Sequence, residues 1–195
     1  MPEHVTAGEA LATLLRRAEE ARVGPRRVVT LIDGRSGSGK TTLGRQLAAA
    51  WPVDRLGPVR LVHLDDVYPG WRGLEAASRA VETSILSRVA PGWRRWDWQH
   101  DRATSWEALD PAMSLIVEGV GALTRASSPL ADVRVWLELD AVTRRARALS
   151  RDGSSYEPWW EIWAEQERRH LERHAPAGLA DVVVEVAGLT TAPRP

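Results

Sequence analysis

The sequence predicts an α/β protein in three layers, with a five-stranded parallel sheet covered by helices on both faces. Three observations predict it. Short apolar, β-branched runs alternate with amphipathic stretches along most of the chain, the order that a parallel sheet with crossover helices requires. A loop rich in glycine and serine lies between the first such run and the helix after it. No internal repeat, long low-complexity segment or linker divides the 195 residues, so residues 1–195 read as one domain.

The elements follow in order. Thr6 to Glu9 reads T-x-x-E, a capping box, and opens a helix that reaches about Arg22 and ends at Gly24-Pro25. Ala10, Leu11, Leu14, Leu15 and Ala18 share one face of it. The run RRVVTLID (26–33) reads as a buried parallel strand. After the glycine loop, TTLGRQLAAAW forms a helix that stops before Pro52. VRLVHL (59–64) is the second strand and DDVYPGWRG a loop. LEAASRAVETSILSRV (74–89) is an amphipathic helix closed by Pro91-Gly92, and WRRWDWQHDR (93–102) is extended or irregular. SLIVEG (114–119) and VRVWLEL (133–139) are the third and fourth strands. Asp140 caps the helix AVTRRARALSRD, WWEIWAEQERRHLERH forms a long helix, and ADVVVEV (180–186) is the fifth strand.

Composition narrows the function. Twenty-six basic and 26 acidic residues balance to zero, which favours neither a nucleic-acid nor a membrane surface. The absence of cysteine excludes disulfides and thiolate metal sites. No signal-peptide pattern and no apolar run of membrane length is visible, so a cytoplasmic protein is expected. Ten tryptophans and no phenylalanine leave aromatic packing to Trp. Lys40 is the only lysine, and it sits in the one motif whose chemistry demands it.

That motif is GRSGSGKT, Gly34 to Thr41, a full G-x-x-x-x-G-K-[ST] match between a strand and a helix. It predicts the P-loop NTPase fold, with ATP and Mg²⁺ as cofactors. The glycines let successive N–H groups of Gly34, Arg35, Ser36, Gly37, Ser38 and Gly39 form an anion nest. Lys40, Thr41 and Thr42 begin the helix, whose positive end faces the phosphates. Lys40 should reach the β- and γ-phosphates, and the Thr41 hydroxyl should bind Mg²⁺.

Ligands of doubly wound sheets sit outside the carboxyl ends of the strands. The second strand ends at Asp65 and Asp66, either of which could accept a substrate hydroxyl proton and help hold Mg²⁺; Asp65 comes first and is the expected base. The third strand ends at Glu118, a Walker-B-like acid expected to orient Mg²⁺ or its waters. Arg144, Arg147 and Arg151 follow the fourth strand at helical spacing and could close on the phosphates, while Arg145 reads as surface.

In these motifs and their order, most of residues 28 to 185 resembles the uridine kinase-like family of P-loop nucleoside kinases, which includes phosphoribulokinase-like and nicotinamide riboside kinase-like relatives. GRSGSGKTTL is similar to the family P-loop. LDDVY resembles its D-[SD]-[FY]-[FY] stretch, which implies that Asp65 is the base and that Tyr68 belongs to the acceptor site. WDWQHDR resembles the Y-D-F…H-x-R segment, which implies acceptor contacts from Trp96, Asp97, His100 and Arg102. LIVEGV is similar to the strand ending E-G, and LADVVVE to the closing strand. LELDAVTRRARALSRD resembles the lid, about 140–158, which implies phosphate-gripping roles for Arg144, Arg147 and Arg151.

The departures bear on the acceptor. The stretch between LDDVY and WDW is shorter than in uridine kinases, YPGWRGL has no family counterpart, and Trp stands for Tyr and Phe in WDW. The resemblance therefore implies ATP-dependent phosphoryl transfer to a small-molecule hydroxyl, with a nucleoside-like acceptor favoured. The alternatives are a P-loop regulatory or assembly ATPase, a nucleoside monophosphate kinase, or a relative without catalysis. Glu167, His170 and His174 have the spacing of a weak metal motif but lack H-E-x-x-H order. Trp159, Trp160 and Trp163 read as core packing, and Trp71 and Trp98 as the better stacking candidates.

Overall fold

The computed structural model describes residues 1–153 and 156–187. A six-stranded, wholly parallel sheet forms its middle layer, in the order β1 (Glu3–Thr6), β8 (Val182–Glu185), β7 (Val133–Glu138), β2 (Val29–Gly34), β6 (Ser114–Glu118) and β3 (Val59–His63). The five expected strands are present. The sixth, β1, pairs with β8 at the sheet edge; its four residues, EHVT, carry one buried apolar side chain, Val5, too little alternation to announce a strand.

Helices cover both faces. One core packs α1 (Ala7–Ala21) and α2 (Lys40–Ala49) on the sheet through Leu14, Leu47 and Ile32. The other packs α4 (Leu74–Ala80) and α6 (Trp160–His174) through Leu74, Trp163 and Val117. Every residue of β2 and β6 is buried, which is why these strands read as continuous apolar runs rather than alternating ones. Each fully buried Leu or Ile here contributes about 1.5–3 kcal/mol. At the start of α1 the expected capping box is present, the Glu9 carboxylate accepting from Thr6 N at 2.9 Å. The short α3 (Val53–Leu56) and α7 (Pro176–Leu179) complete the connections between layers.

Two segments differ from expectation. The helix from Leu74 keeps α geometry only to Ala80 and continues as a π-turn over Val81–Ile85. Residues 92–108 form a separate antiparallel hairpin, β4 (Gly92–Asp97) and β5 (Arg102–Ala108), whose register shifts between Arg94 and Trp96. No helix among the described residues is long and apolar enough to cross a membrane.

Candidate active site

The site lies where β2, β6 and β3 end side by side. The chain leaves β2 through the P-loop and enters α2 at Lys40. Gly37 shows why the loop needs glycine. Its φ is +82°, and a Cβ there would sit 2.2 Å from the Arg144 carbonyl oxygen. The loop is thus pressed against the first turn of α5 (Ala141–Asp152), capped as expected by Asp140, whose Oδ1 accepts from Thr143 N at 2.9 Å.

Four side chains that sequence reasoning did not assign to the site hold the P-loop from behind. Asp33, the last residue before Gly34, is fully buried; its Oδ1 accepts from Gly34 N and Gly121 N, and its Oδ2 from Leu123 N and His170 Nε2. Glu167 is 1% exposed; Oε1 accepts from Ser36 N at 2.7 Å and Oε2 from Arg35 Nε at 2.9 Å. Trp163 Nε1 donates to Ser36 Oγ at 2.9 Å. Trp163, Glu167 and His170 are thus one face of α6 laid against the cradle. An acid ending an apolar strand was the visible signal for Asp33. Nothing local marks Glu167, because its partners are 131 and 132 residues away.

Lys40 is buried and its Nζ donates to Arg35 O at 3.1 Å, across the mouth of the loop. Thr41 Oγ1 donates to Glu118 Oε1 at 3.0 Å. With its proton committed to the carboxylate, the hydroxyl oxygen keeps its lone pairs for a cation. The same Oε1 accepts from His63 Nδ1 at 2.6 Å, and this contact, opposed by burial, raises the His63 pKa. Ser38 Oγ is buried inside the loop with no partner among the described residues. An anion nest, a buried ammonium and a hydroxyl aimed by a carboxylate together fit a Mg²⁺-bound triphosphate.

Asp65 follows β3 in a short 3-10 turn. Asp65 is exposed as a residue, while the atoms packed around its carboxyl desolvate it; that desolvation, with the nearby Glu118 charge, raises its pKa against the pull of Lys40, Arg151 and His63. Asp66 pairs instead with Arg95 of the hairpin at 3.6 Å. The geometry therefore separates the two acids: Asp65 faces the P-loop side and Asp66 the hairpin.

No family model matches this sequence, and no curated protein matches it. Solved structures do. A possible uridine kinase from Bacillus stearothermophilus superimposes with a TM-score of 0.60 at 22% identity, over 91% of this chain and 98% of that one. A candidate fructose transport system kinase from Silicibacter sp. TM1040 gives 0.55 at 20% identity, over 89% and 98%. The fold is that of the P-loop kinases.

Within this P-loop kinase fold, several expected residues take other positions. Arg144 does not point at the phosphate side. It is 3% exposed, with Nε donating to Leu139 O at 3.1 Å and Nη1 to Ser36 O at 3.2 Å, so it buttresses the loop from below. Arg147 Nη2 donates to Ala187 O at 3.3 Å, away from Asp65. The Arg151 charge is among those that oppose the rise of the Asp65 pKa. Tyr68 is buried, its hydroxyl donates to Val120 O at 2.9 Å, and burial together with the Asp65 charge holds its pKa far above the ordinary value. It is a neutral core group rather than an acceptor contact. Asp97 and His100 are used on each other, Nδ1 to Oδ2 at 2.8 Å, in closing the hairpin turn. Arg102 is exposed at the start of β5. Trp96 lies near Gly70, its Nε1 buried with no partner among the described residues.

The two tryptophans singled out for stacking do gather beside Asp65. Trp98 Nε1 donates to Asp65 O at 2.7 Å, and its ring meets Trp71 at 4.9 Å. Trp71 also stacks on Tyr156 at 5.2 Å and on Trp159 at 5.9 Å. Trp159 is therefore part of this wall, whereas Trp160 and Trp163 are buried as expected.

Proposed function

We propose that this protein is an ATP-dependent kinase that transfers the γ-phosphate to a hydroxyl of a small molecule, with a nucleoside-like acceptor favoured; the alternatives are a P-loop regulatory or assembly ATPase and a nucleoside monophosphate kinase. One observation carries the reading. A P-loop whose lysine and threonine are both in place lies beside an exposed aspartate, Asp65, at the end of a nearby strand.

Each step follows from these residues. The N–H groups of the loop and the positive end of α2 bind the triphosphate. Lys40 leaves the Arg35 carbonyl to neutralise the β- and γ-phosphates. Mg²⁺, when bound, supplies charge neutralisation between those phosphates; Thr41 would hold it, with Glu118 behind Thr41. Asp65 accepts the acceptor's hydroxyl proton, and its raised pKa makes it a better base than an ordinary aspartate. Arg151 balances the charge on Asp65. On this reading the cover that excludes water, so that phosphate passes to the acceptor rather than to solvent, comes from the part of the expected 140–158 lid beyond the fixed Arg144; residues 154 and 155 of that range lie outside the described residues. Trp71 and Trp98, their rings tilted against each other, offer the acceptor an apolar aromatic wall next to Asp65.

The test is ADP release from Mg·ATP, measured with purified protein against nucleosides, nucleoside monophosphates, vitamins and sugars, beside a control without acceptor. Release that rises with one acceptor class supports the kinase and names its substrate. Confirmed ATP binding with release indifferent to every acceptor favours the partner-regulated ATPase instead.

A further inference from the structure

From the geometry around Glu118, we propose that His63 is a positioning residue for the metal site: it fixes the Glu118 carboxylate so that Thr41 presents its oxygen to Mg²⁺. The proposal rests on the reading of this site as Mg·ATP-binding.

His63 is the last residue of β3 and lies in register with Glu118, the last residue of β6. Its Nδ1 reaches Glu118 Oε1 at 2.6 Å, and Thr41 Oγ1 donates to that same oxygen at 3.0 Å. An ionised carboxylate can only accept, so Nδ1 carries the proton. Two donors on one oxygen fix the carboxylate about its last torsion and turn the other oxygen, Oε2, away from both. Glu118 is 2% exposed. A buried carboxylate with one donor fewer would be free to rotate, or to turn Oε1 toward the cation itself, and the Thr41 hydroxyl would lose its fixed acceptor. His63 also lies two residues before Asp65, so the metal side and the base side of the site share one short segment of β3 and its turn.

The histidine contact is made by Nδ1, and this gives a specific test. An asparagine places its amide nitrogen on Cγ, where Nδ1 is. A glutamine places its nitrogen one atom further out, and a leucine has none. ADP and ATP binding to the full chain is measured by calorimetry with and without Mg²⁺. Bound metal is read separately by titrating Mn²⁺ into the protein with ADP and following its paramagnetic resonance. Melting temperatures show that each variant is folded. His63→Leu and His63→Gln should each raise the metal concentration for half-saturation roughly ten-fold. Metal-free ADP affinity should stay unchanged, and His63→Asn should restore metal affinity to within about three-fold of the wild type. If His63→Leu is too unstable to measure, the Asn–Gln pair carries the same contrast.

Lower melting temperatures with unchanged metal affinity would make His63 a strand-edge anchor and overturn the proposal. Equal loss in Asn, Gln and Leu would overturn it as well, because the donor position would then not matter. A wild-type protein whose ADP affinity ignores both metals would instead overturn the Mg·ATP reading, and the role of His63 with it.

Discussion

The two halves of this site are built differently. On the nucleotide side, the P-loop is held by buried groups from three elements: Asp33 of β2, Arg144 of α5, and Trp163, Glu167 and His170 of α6. On the acceptor side, Asp65 is exposed among exposed or half-buried tryptophans, and the hairpin spends Asp97 and His100 on its own turn and Arg95 on Asp66. On the proposed kinase reading, the difference matches the two tasks. A triphosphate has one shape and rewards a rigid, prepaid nest of N–H groups. An acceptor must enter and leave, and a wall of flat rings with few fixed polar contacts admits it without a large reorganisation.

The largest expected effect breaks the acceptor side alone. Asp65→Asn should lower phosphoryl transfer about 10² to 10⁴-fold while leaving ATP affinity nearly intact, read by steady-state kinetics beside calorimetry. The wild-type rate should fall with acid along a limb that begins above the ordinary aspartate range, because crowding raises this carboxyl. The same shift predicts the sign of a stability change. A carboxyl whose pKa is raised by folding is disfavoured as its charged form in the native state, so stability falls as pH rises from the unfolded value through the folded one. At neutral pH Asp65→Asn should therefore raise the melting temperature as it removes activity. Full activity in this variant would remove Asp65 as the base.

The next effect strikes the nucleotide side. Glu167→Gln keeps the size of the side chain but replaces one acceptor oxygen with an amide that faces either Ser36 N or Arg35 Nε. A buried donor left without an acceptor costs about 1–3 kcal/mol. ATP affinity should fall by roughly ten-fold and the melting temperature with it, whereas the acceptor KM should hardly move. A selective change in acceptor KM would show that α6 serves the acceptor side rather than the cradle.

How much of this was legible in the sequence follows the same division. The P-loop, its flanking strand and helix, and the acids at the ends of β3 and β6 are local patterns, and the sheet placed them together as read. The braces were not legible, because Glu167 and Trp163 meet the loop across more than 120 residues and look, one by one, like an ordinary amphipathic helix. Arg144 was misread for a physical reason. Helical spacing puts it on one face with Arg147 and Arg151, but Gly37 brings the loop so close to the start of α5 that the guanidinium is trapped beneath it. The hairpin was ambiguous because its tryptophans and arginines give no clean alternation. The edge strand β1 was missed because four residues with one buried side chain carry no period.

A smaller effect sharpens the acceptor side. Trp71 sits in the stretch that lacks a counterpart in the family pattern, and it touches Trp98, Tyr156, Trp159 and Trp163. Each aromatic contact is worth about 0.5–1.5 kcal/mol beyond the area it buries. Its backbone carbonyl also accepts from Gln166 Nε2 at 2.8 Å, which ties this loop to α6 whatever the side chain is. Trp71→Ala should therefore leave the fold in place and ATP affinity unchanged, and raise the acceptor KM roughly ten-fold, with a smaller change in kcat. Trp71→Phe should recover part of that loss. If Trp71→Ala instead weakens ATP binding as much as Glu167→Gln does, the wall is a brace for the cradle, and the contrast between a rigid nucleotide side and an open acceptor side fails at its softest point.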